Sequence, residues 1–442
     1  MWSTIRLCSR RSSRVPRNRS RRMAVISVTA VTAVTGGHAG ATNVWCPVTM
    51  RRAAIVAPVR TPSGIEGGAL SGMPAEWLAT TVVSAVLERS GIDPLRVEDV
   101  AMACVDGGLA GVPALGALAA RGAGLPLSVP GFLTDRHSGS GLQAVITAAM
   151  MVQTGAADVV VAGGVECAAT TAAPPGGVAG LHNAEWLARY YGIDRTAADE
   201  FAAASHRKAS RAWRQGAFGA EVVPVAVAAG SFEHQIRRDE GVREDLSTHT
   251  LAALRPLLAD GVVTVGNMSA HRLGASACLV VAEDRLIELG LTPMAFLAGW
   301  AAAGCDSDGP TLGAAPAVAK LLGRTGCALD EIDLLEINEG YAVEVLALAT
   351  EWDLDPHDRL NVNGSDIALG HPIGATGLRI MTTMLHELGR TGGRYGLEAI
   401  ALGHDHGIAA LFESAEFAEP SETPRGARFH GVRAKRPGRH RA

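Results

Sequence analysis

An internal repeat constrains the fold of this chain more than any other feature of its sequence. The segment from Ser90 to Val100 is similar to the segment from Thr325 to Leu335, and Ser140–Val145 is similar to Thr376–Met381. Both pairs are separated by about 235 residues, so the two matches keep nearly one register. The simplest structure that this pattern predicts is two similar halves packed face to face.

Each half is predicted to alternate strands with helices. Short apolar runs at 159–161, 279–281 and 409–412 are typical of buried strands. A helix is predicted over Ser140–Gln153 and a matching helix over Thr376–Leu388. The residues expected to point inward from these two helices are Leu142, Val145, Ile146, Ala149, Met381, Met384, Leu385 and Leu388. The alternation predicts an α/β fold in which helices cover layered sheets.

Composition divides the chain into four segments. The N-terminal half is predicted over 51–285, with an irregular inserted loop domain at about 170–254, and the C-terminal half over 286–417. Residues 1–50 are excluded from the fold, either as an over-long start with Met50 as the true beginning or as a targeting peptide. The basic, unpatterned tail at 418–442 is predicted to be disordered.

Charge and cysteine content argue against several classes of protein. The first 50 residues hold eight Arg and no acidic residue, so the net charge of −4 conceals an acidic body that would repel nucleic acid. No apolar stretch reaches the roughly 18 to 20 residues of a membrane span. Seven scattered cysteines without a Cys-x-x-Cys pair indicate a reducing compartment, so a cytoplasmic protein with no membrane partner is expected.

Two short segments could carry catalysis at the starts of the repeated helices. Asp135–Gly141 places Ser138 at a helix N-terminus, where exposed N–H groups favour developing negative charge. Gly370–Gly374 places His371 on a tight turn before the second helix, where a histidine can act as a base or as a hydrogen-bond donor. Alone, the first segment indicates only an ordinary Gly/Ser helix start.

Two further segments follow predicted strands. Asn338 comes directly after the strand Leu334–Ile337, where its amide could hold a water molecule or simply cap the next helix. The turn Gly403–Gly407 contains His404 and His406. Two histidines at this spacing are weak grounds for a metal site, so no metal is predicted.

Together these segments resemble the thiolase family, and the resemblance covers residues 51–417. Ala54–Pro62 is similar to the opening strand and turn of the family, and Val160–Glu166 to its Gly-Gly-x-Glu turn. Thr264–Ser269 resembles the Thr-Ala-Gly-Asn-x-Ser segment. Asn361–Gly364 with Ile367–Gly374 matches the Asn-x-Asn-Gly and Gly-His-Pro-x-Gly motif nearly residue for residue. The resemblance implies the same two-half fold.

The resemblance also implies roles for particular residues. Ser138 occupies the position of the cysteine that takes the acyl group, after Asp135-Arg136-His137 in place of the family's Asn-Arg-Gln, and Ala401 occupies that of the second, proton-accepting cysteine. His371 and Asn338 match the family's histidine and its water-holding asparagine. The backbone N–H groups of Ser138 and Gly403 are expected to form an oxyanion hole. Ser269 matches a family position beside pantetheine. His404 and His406 have no such match, and either one is a candidate to replace the second cysteine.

The expected activity is therefore acyl transfer through an O-acyl-Ser138 intermediate. The donor would be a coenzyme A or acyl-carrier-protein thioester, with no permanently bound cofactor. Two alternatives stay open, namely a catalytically silent thiolase-like subunit and a conventional carbon–carbon-forming acetyl-CoA acyltransferase. Only 18 residues separate Glu166 from Glu185, so the loop that often joins dimers into tetramers is missing and a homodimer is expected.

Overall fold

The computed structural model describes residues 50–105, 114–167, 174–229, 232–306, 309–403 and 405–419. The leader predicted before residue 50 and nearly all of the predicted tail lie outside the described residues. The elements of the N-terminal half are β1 (Ala53–Arg60), α1 (Ala75–Ser90), β2 (Asp99–Ala103), α2 (Leu115–Gly122), β3 (Gly131–Thr134), α3 (Ser140–Thr154), β4 (Val159–Glu166), α4 (Gly177–Tyr191), α5 (Arg195–Gln215), β5 (Val225–Ala229), β6 (Phe232–Ile236), α6 (Thr248–Ala252) and β7 (Gly274–Ala282).

The C-terminal half follows the same plan without the inserted segment. Its elements are α7 (Leu286–Leu289), β8 (Ala295–Gly304), α8 (Ala314–Thr325), β9 (Leu334–Ile337), α9 (Ala342–Glu351), α10 (Asp366–Leu369), α11 (Thr376–Thr391), β10 (Tyr395–Leu402) and β11 (His406–Ser414). No helix in the described ranges combines the length and the apolarity needed to cross a bilayer.

The strand order shows the repeat directly. One mixed sheet runs β3-β2-β4-β7-β1-β8-β11-β10-β9. From β1 outward, the N-terminal half gives β7, β4 and β2, and from β8 outward the C-terminal half gives β11, β10 and β9, with the same parallel and antiparallel pairings. The halves meet at the short β1–β8 pairing. The predicted α/β fold with two similar halves is confirmed.

Three large hydrophobic cores separate the layers, and a smaller one joins α5 to α10. Successive residues of a strand point to opposite faces, so Val280 of β7 belongs to the central core while Val281 belongs to the outer one. Ala410 and Leu411 of β11 divide in the same way. The central core contains α3 and α11, which pack on each other between the two sheet regions. All eight residues predicted to point inward from these helices are buried.

Two glycines allow α3 and α11 to approach closely. A Cβ atom on Gly141 would lie 2.9 Å from the backbone nitrogen of Leu378, and one on Gly377 would lie 2.6 Å from the backbone nitrogen of Leu142. These glycines hold corresponding positions of the repeat. Because of this contact, the first turns of both helices, and the residues that precede them, come together.

Candidate active site

Ser138 lies in a 3₁₀ turn, His137–Gly139, that leads directly into α3. The side chain of Ser140 fixes this turn, since its Oγ accepts a hydrogen bond from the Arg136 N–H at 2.7 Å and donates one to the His137 carbonyl at 2.6 Å. Ser138 itself is buried. Hydrogen bonds to the backbone on both sides therefore fix the position of Ser138.

His371 reaches Ser138 from the other half of the molecule. Its backbone N–H donates to the Ala270 carbonyl at 3.0 Å, and its carbonyl accepts from the Arg272 N–H at 3.2 Å. The buried imidazole places Nε2 3.0 Å from Ser138 Oγ. Two residues singled out from motifs 233 positions apart thus lie within hydrogen-bonding distance.

Thr376 sets the direction of this hydrogen bond. Its Oγ1 lies 3.0 Å from the Pro372 carbonyl and 2.9 Å from His371 Nδ1. A carbonyl only accepts, so the one hydroxyl proton of Thr376 goes to Pro372, and His371 Nδ1–H must donate to Thr376. The lone pair of His371 is then on Nε2, which accepts the proton of the Ser138 hydroxyl.

The protonation state of His371 is the one that a general base needs. Burial lowers the pKa of His371 to about 4, and His271, His137 and Arg379 act in the same direction, while Asp366 opposes them. The imidazole is therefore neutral near pH 7. A neutral ring with a free Nε2 is the form that a general base requires.

Asp366 joins Asn338 to the site. Asn338 Nδ2 donates a hydrogen bond to Asp366 Oδ2, and the same oxygen lies 3.7 Å from His371 Nδ1. The other carboxylate oxygen accepts from Arg379 Nη2 at 2.6 Å, which forms a buried ion pair. Sequence reasoning found Asn338 but missed Asp366 and Thr376, although Thr376 opens the predicted helix and Asp366 lies just before Ile367–Gly374.

The end of β10, which Gly403 follows, lies beside the turn that carries Ser138. The last residue of this strand, Leu402, would touch a Cβ atom placed on Gly139. Gly403 has φ +73°, which glycine adopts without strain. His404 lies outside the described residues, and the exposed His406 places its Nδ1 2.6 Å from Asp405 Oδ1.

Ser269 offers a polar atom that the described residues leave unused. Its backbone N–H donates a 2.9 Å hydrogen bond to the carbonyl of Gly340, a residue two positions after Asn338. Its Oγ is buried and has no hydrogen-bond partner in the described part of the chain. Since buried hydroxyls are normally paired, this atom is suited to contact a ligand.

Four cysteines and the possible metal ligands offer no alternative centre within the described residues. Burial raises the pKa of Cys167 to about 11, and it also raises the pKa values of Cys278, Cys305 and Cys327. Raised values mean thiols and not thiolates, and the thiolate is the nucleophilic form. The described ranges contain no group of three His, Cys, Asp or Glu side chains placed to hold a metal ion.

Comparison with known proteins shows the family of this chain. The family model of the thiolase N-terminal domain matches residues 53–173 and 168–284, and that of the thiolase C-terminal domain matches residues 291–414. The chain belongs to the thiolase family. Its similarity to acetyl-CoA acetyltransferases extends over nearly their whole length, so this thiolase is an acetyl-CoA acyltransferase-like enzyme.

The similar proteins include enzymes and solved structures. An acetyl-CoA acetyltransferase of Chromobacterium violaceum is 37% identical over 81% of this chain and 99% of its own, and a probable acetyl-CoA acyltransferase of Staphylococcus aureus is 36% identical over 82% and 99%. The Bacillus anthracis acetyl-CoA acetyltransferase structure has a TM-score of 0.78 at 34% identity, covering 83% of this chain and 100% of its own. Human mitochondrial 3-ketoacyl-CoA thiolase in complex with CoA has a TM-score of 0.76 at 30% identity, covering 83% and 98%.

Proposed function

We propose that this thiolase transfers an acyl group from a thioester to an acceptor through an ester on Ser138. The observation that carries the proposal is the 3.0 Å contact between Ser138 Oγ and His371 Nε2, in which Thr376 leaves Nε2 free to accept the proton. A serine hydroxyl needs such a base, because it is far less acidic than a thiol.

The reaction has two steps. In the first, Ser138 Oγ attacks the thioester carbonyl, its proton passes to His371 Nε2, and the carbon–sulfur bond breaks as the leaving thiolate takes that proton. In the second, the acceptor gives its proton to His371, bonds to the acyl carbon and releases Ser138, which recovers the proton. The backbone N–H groups of Ser138 and Gly403 are proposed to bind the oxyanion.

Coenzyme A is the proposed carrier of the acyl group. A related structure, human mitochondrial 3-ketoacyl-CoA thiolase, contains CoA, and the unused buried Oγ of Ser269 is available to the pantetheine arm. An acyl carrier protein presents the same pantetheine chemistry. Both donors deliver a thioester, so the chemistry at Ser138 is the same for either.

The acceptor is proposed to be an alcohol, an amine, a carrier thiol or a carbon nucleophile that needs no separate base. The position of the second family cysteine is proposed to be Ala401, which pairs with Gly407 at the end of the β10–β11 hairpin and has no ionisable group. A conventional carbon–carbon-forming acyltransferase is the second candidate, because the similar proteins carry that name. Acetoacetyl-CoA formation from acetyl-CoA by the unmodified protein would favour the second candidate.

The decisive experiment is intact-protein mass spectrometry after incubation with a panel of acyl-CoAs. An acyl increment should appear on the peptide that contains Ser138, and Ser138→Ala should abolish it. Ser138→Cys should keep or increase labelling, since a helix N-terminus favours a thiolate. Ser138→Cys alone should not allow acetoacetyl-CoA formation. The double variant Ser138→Cys with Ala401→Cys tests whether a second cysteine restores that reaction. If no donor labels Ser138, the protein is a catalytically silent subunit.

We also propose that the protein forms a homodimer. The connection between β4 and α4 is short, and β3 leaves one edge of the nine-stranded sheet unpaired among the described residues. Such an edge can pair with a second copy. Light scattering on the full chain should give the mass of a dimer, and a stable tetramer would contradict this proposal.

A further inference from the structure

Ser138 Oγ contacts two histidines and not one. Besides His371 Nε2 at 3.0 Å, the Nδ1 atom of His137 lies 3.2 Å from the same oxygen. His371 is buried, whereas His137 is exposed to solvent. The proposed reaction assigns every proton transfer to His371 and leaves His137 without a role.

Counting protons fixes what His137 does in the resting site. The single proton of the Ser138 hydroxyl is donated to His371 Nε2, because Thr376 holds the proton of that ring on Nδ1. Ser138 Oγ can therefore only accept from His137. The His137 Nδ1–H group must be the donor, so one hydrogen bond leads from His137 to Ser138 and a second from Ser138 to His371.

The backbone of His137 is held in an unusual conformation that serves this contact. Its φ of +49° lies in the left-handed region, where histidine is found more often than most residues. The His137 N–H donates to Asp135 Oδ1 at 2.9 Å, and its carbonyl accepts from Ser140 Oγ. Both sides of the residue are thus tied down, and its ring is directed to the reactive oxygen.

We propose that His137 is a second catalytic histidine, which donates a hydrogen bond from Nδ1 to Ser138 Oγ and stabilises negative charge on that oxygen. The inference rests on the proposed acyl transfer. As the acyl–Oγ bond breaks in the second step, the electron pair returns to Oγ, and the acceptor's proton reaches Oγ through His371. The proton on His137 Nδ1 stays where it is, so no further reactant is needed.

The test compares two isosteric substitutions. Asn and Asp both tolerate positive φ, and both place a polar atom near the position of the imidazole Nδ1. His137→Asn keeps an N–H donor, whereas His137→Asp replaces it with an acceptor oxygen that repels charge on Ser138. p-Nitrophenyl acetate serves as the acyl donor and hydroxylamine as the acceptor, and intact mass follows acetylation and loss of the Ser138 ester separately.

The expected results differ sharply for the two variants. Loss of the ester to hydroxylamine should slow less than fivefold in His137→Asn. It should slow on the order of 10- to 100-fold in His137→Ala, as for losing a hydrogen bond to a charged group, and further in His137→Asp. The carboxylate in His137→Asp would also make His371 a stronger base. If His137 acted only through the basicity of His371, the His137→Asp variant would therefore be faster and not slower.

Three outcomes would overturn the inference. Wild-type rates in His137→Asp and His137→Ala would show that the donor has no catalytic role. If all three variants lose the same transfer rate at unchanged melting temperatures, the imidazole does not act through an N–H group that Asn can replace. If the wild-type protein is never acetylated on Ser138, the proposed function fails and this inference fails with it. If Ser138 is acetylated and the variants transfer the acetyl group to hydroxylamine at the wild-type rate, the proposed function stands and only the role of His137 is refuted.

Discussion

The two halves share one topology, yet they differ in what lies beneath the helices that meet at the site. In the N-terminal half, the paired strand residues beneath α3 are Ala101 and Ala162, which belong to the apolar central core. At the corresponding positions of the C-terminal half, Glu336 of β9 pairs with Glu398 of β10. Both carboxyl groups are buried, and burial raises both pKa values well above the ordinary range.

The difference extends to the helices themselves. Arg379 of α11 is buried and pairs with Asp366, but its Nε and Nη1 atoms have no partner among the described residues, and neither does any side-chain oxygen of Glu398. Gln143 holds the matching place on α3 and accepts a hydrogen bond from Arg136 at 2.7 Å. The N-terminal half thus places apolar residues beneath the helix that follows Ser138, whereas the C-terminal half places the Arg379–Asp366 ion pair beside His371. The two halves share one strand and helix plan and differ in the polar groups placed beneath each helix start.

The largest expected effect comes from removing the base that the C-terminal half supplies. His371→Asn should slow acylation of Ser138 by about 100-fold or more, the scale typical of losing a general base. Single-turnover mass measurements with an acyl-CoA that labels the wild type give the rate.

The matched control is His386→Asn on α11, the helix that follows His371, where the ring contacts the Pro58 carbonyl and not the site. That variant should label at the wild-type rate. A His371→Asn protein that is labelled as fast as wild type would mean that the base comes from elsewhere.

The two glycines at the contact between α3 and α11 should contribute about equally to stability. Gly377→Ala and Gly141→Ala each force a methyl group against the backbone of the other helix, so each should lower the free energy of unfolding by about 1–3 kcal/mol. Urea denaturation measures both.

Gly389→Ala provides the comparison, because a Cβ atom there meets nothing within 4 Å on the exposed side of α11. It should raise stability by up to about 1 kcal/mol through helix propensity. If Gly141→Ala proves harmless while Gly377→Ala does not, the two halves do not share the contact equally.

The buried carboxyl group of Glu398 should make stability depend on pH. A folded-state pKa above the unfolded value means that the unfolded chain releases the proton first, so stability falls as pH rises above the ordinary carboxyl range. Glu398→Gln should therefore raise the free energy of unfolding at pH 8 by about 1–3 kcal/mol, since one unit of pKa difference corresponds to about 1.4 kcal/mol, and by less at pH 5.

Chemical denaturation at the two pH values tests this, with the exposed Glu416→Gln as a neutral reference. A Glu398→Gln protein that is less stable at pH 8 than at pH 5, relative to wild type, would show an ionised Glu398 paired with Arg379.

The smallest expected effect concerns Thr376, which holds His371 in one tautomer. Thr376→Val keeps the shape but removes the hydroxyl, so acylation should slow about fivefold, consistent with one ordinary hydrogen bond. Thr376→Ser should restore the rate if the hydroxyl is what matters. Equal rates in all three proteins would mean that Asp366, 3.7 Å from Nδ1, is sufficient to orient the ring.

Most of the fold could be predicted because its signals are local. The apolar spacing that buries Leu142 and Val145 predicted α3 to within one residue of its end. The matching prediction for α11 stopped at Leu388, three residues early, since Gly389, Arg390 and Thr391 carry no inward apolar side chain. The helix continues until Gly392, whose φ of +70° ends it.

The repeat, the two helix starts and the residue types placed there can be read from the amino-acid order, because periodicity and turn chemistry are properties of neighbouring residues. Three contacts at the site appear only in the folded chain: Ser138 Oγ meets His371 Nε2, Asp366 links Asn338 to the same ring, and His137 shares the serine oxygen. These contacts join residues from separate segments, or depend on which way a ring turns. Hydrogen-bond direction then follows from the partners that each atom finds, such as the Pro372 carbonyl for Thr376, and those partners exist only once the chain has folded.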